Sequence, residues 1–357
     1  MTKRRRSAVA SGPNLSATSD RTVGNVQVRP ICPWDDCFMT PVEEAFRWAR
    51  IHAVRHMDAC ERALLRWGET SITEVVTSRA AKAVTVVPFT QRAEALSGAD
   101  WIWWWVDTRG AYGMLVQAKR VTVNGSKWKF DFSYPKGTGT QRSTLMAVSA
   151  TLGLLPVYAL YLGTGSYRSW EPCPDGHRSG RCLQCVKRSV SLMPALLADE
   201  FVNDNATDTY DQSVALEDLW TPSPKLAPLI PELRRQLAPD LLDFLTTRQD
   251  GTRAVTRSMI DRVLRVRIGT FQHAAPTVTL ATPDGRHDRL GSAFPELPED
   301  MGHYGLSYFR HVLDPLRQAP PDYVLEAMTR DLDEDHLTSN MPDNIAGVVV
   351  VRLHEDD

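Results

Sequence analysis

GADWIWWWVDTRGAYGMLVQAKR, residues 98–120, is the stretch whose reading decides the fold. Residues 100–107 carry four tryptophans among β-branched residues. TRGAYG follows as a turn, and residues 113–123 are extended again, so two neighbouring strands are expected. Gln117 and Lys119 lie two apart on the second strand, which puts their side chains on one face. An Asp at position 100 on one strand, opposite a Gln and a Lys on the next, is costly in a buried sheet unless a metal or substrate satisfies it. The plainer alternative is the solvated face of a hairpin.

Upstream, Thr40-Pro41 with Glu43 and Glu44 is a helix start. Phe46, Ala49, Ala53, Met57, Cys60, Leu64 and Trp67 continue it at helical spacing to about residue 67, with Gly68 as its stop. Ser71 with Glu74 three residues on predicts a capping box and a second helix over about 72–82. Residues 84–89 form the first strand. Downstream, Asn124-Gly125 is a hairpin turn, and Trp128, Phe130 and Phe132 alternate on a fourth strand. A helix over about 141–154 and a strand beginning near Pro156 complete the series helix, three or four strands, helix, strand, which suits a central sheet with helices on both faces. Beyond residue 188, helices are expected over 191–202, 231–247 and 252–267. Strands are expected at TVTLAT and AGVVVVRL, and 222–231 reads as a linker.

The chain has 357 residues, 43 % apolar and 24 % charged, which excludes a largely disordered, collagen-like or coiled-coil protein. No apolar run approaches a bilayer span and the first residues, MTKRRRSAVASG, hold no apolar signal core, so a soluble cytoplasmic protein is expected. Eight lysines against 33 arginines point to a GC-rich bacterial genome. The net charge of −2 conceals a basic middle: residues 109–188 hold 12 Lys and Arg against Asp131, Glu171 and Asp175. A polyanion would find only that stretch attractive.

Of the eight lysines, only Lys119 has Asp, Glu or Gln two residues before it. With Gly98-Ala99-Asp100, Gln117-Ala118-Lys119 and an acidic helix upstream, the region resembles the PD-(D/E)XK nuclease superfamily, most closely the Mrr-type branch in which the third-motif acid is Gln. It also resembles bacterial nuclease-like proteins sharing E-x-x-[IL]-T, GADW, QAKR and Q-x-x-x-L. The counterparts here are residues 69–73, Asp100-Trp101, 117–120 and 141–145. The resemblance covers roughly residues 65–163. It implies an α/β restriction-endonuclease-like core, αβββαβ, and a Mg²⁺-dependent nuclease. DNA is a more expected substrate than RNA, in a restriction or anti-phage role.

The residue types suit that chemistry. Mg²⁺ wants oxygen ligands, which Asp100, a backbone carbonyl near Gln117 and an upstream Glu supply. Lys119 would orient the attacking water or neutralise the phosphorane. Glu69 ranks first as the upstream acid, Glu94 second, and Glu74 is simply a capping residue. Gln117 in place of a carboxylate should weaken Mg²⁺ binding. Arg120, Lys127, Lys129, Lys136, Gln141, Arg178 and Arg181 are candidate nucleic-acid contacts. The tryptophans of residues 101–105 are expected in the core.

Cys173, His177, Cys182 and Cys185 form C-x3-H-x4-C-x2-C, a spacing for structural Zn²⁺. His303 and His311 have no ligand partner at useful spacing, and the sequence contains no Walker A, G-x-S-x-G or dinucleotide fingerprint. The expected organisation is a flexible tail over 1–35, a nuclease-like core over 36–205 with the zinc knuckle at 170–188, and a mostly helical α+β region over 206–357. A catalytically inactive nucleic-acid-binding module on the same fold is the competing function. A homo-oligomer is compatible with the composition.

Overall fold

The computed structural model describes residues 40–89, 100–124, 127–132, 135–136, 139–163, 183–198, 206–221, 229, 231–270, 291–298, 308–329 and 345–353. Helix α1, Pro41–Arg62, starts as its sequence dictates: the Thr40 hydroxyl accepts from the Glu43 N–H at 3.1 Å, Pro41 opens the first turn, and Phe46, Ala49, Ala53 and Met57 are buried. It ends five residues before Trp67, and Gly68 is not its stop. Leu64 takes the left-handed conformation, φ 58°, while the N–H groups of Leu64 and Leu65 turn back to the carbonyls of Glu61 and Cys60.

Helix α2, Glu69–Ala80, begins three residues before its expected start. Ser71 lies inside the first turn, where its hydroxyl bonds the Gly68 N–H and carbonyl, so the expected Ser71–Glu74 capping box does not form.

Strands β1 (Val84–Pro88), β2 (Asp100–Asp107) and β3 (Gly110–Arg120) follow. The expected fourth strand shrinks to β5 (Lys127–Lys129), which pairs only with β4 (Thr122–Asn124) in a separate ribbon; β6 (Pro135–Lys136) and β7 (Gly139–Thr140) form another. Helix α3, Gln141–Leu152, is capped by the Thr140 hydroxyl on the Ser143 N–H and closed by Gly153 at φ 63°. Strand β8, Leu155–Tyr161, is buried throughout.

After the short helix α4, Leu183–Lys187, the helix expected over 191–202 is instead strand β9, Val190–Pro194, followed by a 3-10 turn at Ala195–Leu197. Every residue of β9 is buried and the strand pairs with β8 and β10, so tertiary pairing overrides local helix preference. Helix α5 (Ala206–Asp211), strand β10 (Val214–Ala215) and a 3-10 turn at Leu216–Asp218 come next. The single helix expected over 231–247 is two, α6 (Pro231–Gln236) and α7 (Pro239–Thr246), divided where Pro239 cannot donate its N–H. Helix α8 is Gly251–Thr270, α9 Tyr308–Leu313, β11 Leu316–Arg317, α10 Asp322–Thr329 and β12 Ile345–Arg352.

These elements make a mixed α/β fold around one eight-stranded mixed sheet, ordered β1-β12-β2-β3-β8-β9-β10, with β11 beside β3. The β12–β2 and β3–β8 pairs are parallel and the rest antiparallel. Helices α1 and α2 cover one face: Phe46 stacks on Trp103 and packs against Trp105, and Trp220 joins them. Helices α3 and α10 cover the other, where the Trp104 indole donates to Tyr323 at 2.8 Å and sits under the Arg317 guanidinium. Trp103, Trp104 and Trp105 are core residues accordingly. The buried Asp107 carboxylate ends β2 and caps α8 through the Thr252 N–H at 2.7 Å.

Residues 206–357 do not stand apart from this sheet, since β10, β11 and β12 belong to it, and residues 39–357 cluster as one unit. Strand β12 runs between β1 and β2. Its register slips by one residue, with Ile345 opposite Asp100 but Gly347 opposite Trp101, leaving Ala346 as a bulge. A Cβ on Gly347 would lie 2.5 Å from the Val87 carbonyl oxygen and 2.6 Å from the Trp101 ring. Gly347→Ala should therefore destabilise the protein by about 1–3 kcal/mol, read as a lower urea midpoint with the slope retained.

Candidate functional site

The strand β3 carries the candidate site towards its carboxyl end. Because β3 and β8 run parallel in register, Gln117 stands beside Tyr158 and Lys119 beside Leu160, so these four side chains share the α3 face. Gln117 and Lys119 are each only 4 % exposed, which rejects the solvated-hairpin alternative for both. A lysine this deep is rare, because burying an ammonium is costly without compensating polar contacts. Two compensating groups are placed here. The Lys119 amine donates to the Gln141 side-chain oxygen at 2.5 Å, and it lies 5.9 Å from the centre of the Tyr158 ring.

The support beneath these contacts is built from local sequence. Thr140 caps α3 so that Gln141 takes its first position, at the mouth of the sheet. Tyr158 is stacked on Phe132 at 4.7 Å, and Phe132 on Phe130, so the loop after β5 backs the aromatic wall.

Glu69 reaches β3 from the opposite layer. Its carboxylate accepts from the Arg120 backbone N–H at 3.0 Å, one residue along from Lys119, and does not lie on the Lys119 face. Four residues further on the same helix, the Thr73 hydroxyl meets the Tyr161 hydroxyl at 2.8 Å. Burial pushes the Tyr161 phenol well above its usual range; the Thr73 bond opposes that rise and the nearby Glu69 charge adds to it. The two ends of E-x-x-[IL]-T thus fasten α2 to the ends of β3 and β8. Arg120 completes the junction by donating to the Trp67 carbonyl at 3.2 Å.

Asp100 opens β2. Trp101 pairs with Val116 and Ile345 with Asp100, so the backbone at Asp100 stands alongside Gln117 on one side and the bulge of β12 on the other. Glu94 lies outside the described residues, as do Cys173, His177, Cys182, Arg178, Arg181, His303 and residues 1–35. Cys185 is buried on α4. Lys127 and Lys136 belong to the two short ribbons, and Lys129 is half-buried at the end of β5. Among the described residues, no group of three or more His, Cys, Asp or Glu is placed to hold a metal ion, and no helix is long and apolar enough to cross a membrane.

Sequence reasoning missed Tyr158, although the alternation of LPVYALY beside QAK carried a signal for it. It also missed the role of β12 in seating β2, where a glycine inside a valine run signals a bulge.

No curated protein and no solved structure matches the chain. Residues 42–357 match DUF6615, a family of unknown function, and cover every described element from α1 onward. The chain therefore belongs to the DUF6615 family.

Proposed function

We propose that the protein is a metal-dependent nuclease of the PD-(D/E)XK type, acting on DNA in preference to RNA, in restriction or anti-phage defence. The observation that carries this reading is the buried Gln117–Lys119 pair on one face of β3, beside the position where Asp100 opens β2. A buried amine is costly in a sheet, and costs of that kind are characteristic of functional sites.

The donor set suits a hard cation: Asp100 and Gln117 offer oxygen, and neither is a thiol or imidazole. Asp100 and a backbone carbonyl near Gln117 would hold Mg²⁺, while Glu69, bonded to the Arg120 N–H from the opposite layer, would steady the strand that carries them. When bound, the cation polarises the phosphoryl oxygen and lowers the pKa of its water. Lys119 presents its amine to the charge that builds on the phosphorane, and Gln141 fixes its direction. Arg120, Lys127, Lys129, Lys136, Arg178 and Arg181 would grip the backbone. Cys173, His177, Cys182 and Cys185 would hold a structural Zn²⁺, stapling a Gly- and Pro-rich segment to the sheet through buried Cys185.

Incubating the protein with Mg²⁺ or Mn²⁺ and supercoiled DNA, linear DNA or RNA tests the reading. Cleavage should be abolished by Asp100→Ala and by Lys119→Ala, while Lys119→Ala keeps most binding affinity. Binding without cleavage under all these conditions would leave the inactive binding module as the better account. Lys119→Met should lose activity yet melt at the same temperature or higher, gaining up to about 1 kcal/mol, because an isosteric apolar chain removes a buried charge.

Gln117→Glu should lower the Mg²⁺ concentration needed for cleavage; unchanged metal dependence would place Gln117 away from the cation. Elemental analysis should find about one zinc per chain, lost on replacing Cys182 or Cys185 by Ser.

A further inference from the structure

The turn that ends α1 makes two choices that a stable surface would avoid. Position 64 is the left-handed residue of a helix-terminating motif, a place that favours glycine because a β-carbon there meets the following carbonyl. It is filled by leucine. That leucine is 93 % exposed and its neighbour Leu65 is 64 % exposed, so neither side chain recovers its cost by packing on the body.

The turn is nevertheless held firmly from behind. The buried Trp67 donates its indole N–H to Glu61 at 3.1 Å, and its carbonyl accepts from Arg120, whose backbone N–H is held by Glu69. The leucine pair is thus mounted on the same junction that carries the candidate catalytic strand. Exposed Arg62 and Arg66 bracket it in the sequence RALLR, with Arg62 also paired to Asp58 at 2.7 Å. Two apolar side chains between two cations complement a strand that presents stacked bases between phosphates.

We propose that Leu64 and Leu65 form a wedge that enters a base step of the nucleic-acid strand beside the site, unstacking it as the backbone is brought to Lys119. The inference rests on the nuclease reading and adds to it how the substrate is engaged: distortable or unpaired strands are gripped better than a stiff duplex.

The test measures binding by the full chain with Ca²⁺ in place of Mg²⁺, which fills a hard-cation site without supporting cleavage and leaves zinc bound, to duplex DNA, single-stranded DNA and single-stranded RNA carrying 2-aminopurine. Wild-type protein should brighten the probe as the base unstacks. Leu64→Gly and Leu65→Ser should bind roughly tenfold more weakly and leave the probe dark. Leu64→Gly should at the same time melt about 2–4 °C higher, since glycine relieves the backbone. A turn with only a structural role would not weaken binding while raising stability.

Variants that bind and brighten like the wild type would overturn the wedge and leave the nuclease reading standing. Capture of the wild type, but not the variants, by phosphatidylglycerol vesicles would assign the pair to a lipid surface and also overturn it. A wild type that binds none of the nucleic acids overturns the nuclease reading itself.

Discussion

The passage of β12 between β1 and β2 is the constraint on which the remaining geometry depends. At Gly347 a neighbouring backbone and an indole approach so closely that no side chain fits, and the extra residue Ala346 is pushed out as a bulge one step away. That bulge lies opposite the start of β2, on the side away from β3, so the backbone at Asp100 is flanked by both strands. Bulges commonly re-aim a strand end where a protein needs particular side chains together. The tryptophans of β2 do the complementary work. Trp103 and Trp105 lock the strand to α1, Trp104 locks it to α10, and the strand end therefore has little freedom to shift.

Against that rigid background, the Lys119 amine is a local concession of stability. The two partners described for it come from different elements, Tyr158 on the neighbouring strand and Gln141 at the start of the following helix, and Tyr158 is itself backed by Phe132 in the loop after β5. Glu69 meets the same strand from the other layer by bonding its backbone. A site assembled from both layers of a sheet is held in register by the whole core, and a local loop could not supply that.

Much of this was legible in the sequence where a pattern is local. The α1 cap, the tryptophan-rich strand β2 and its neighbour β3, the turn between them, and the helix and strand that follow lie close to where periodicity and turn residues put them. The burial of Gln117 with Lys119 decides between two readings that residue types alone left open, a functional site and the solvated face of a hairpin. What failed depended on distant partners. Residues 191–194 look helical in isolation and become a strand because β8 offers them an edge. The true end of α1 was missed because Leu64 occupies a conformation that its residue type disfavours, while Gly68, the obvious stop, serves α2 instead. The partner of β1 could not be read at all, because strand adjacency across so long a separation leaves no local signature.

The order of strands also governs when the sheet can close during synthesis. A nascent chain that has passed Tyr161 already carries Glu69, Asp100, Gln117, Lys119 and Gln141, yet β2 still has an open edge where β12 will lie. Domains fold as their strands emerge, and pairings across long sequence separation form late. The β2 edge must therefore stay shielded from other chains until residues 345–352 leave the ribosome. A fragment that stops short of them would present a bare apolar edge of β2 where β12 now lies, a template for pairing with other chains.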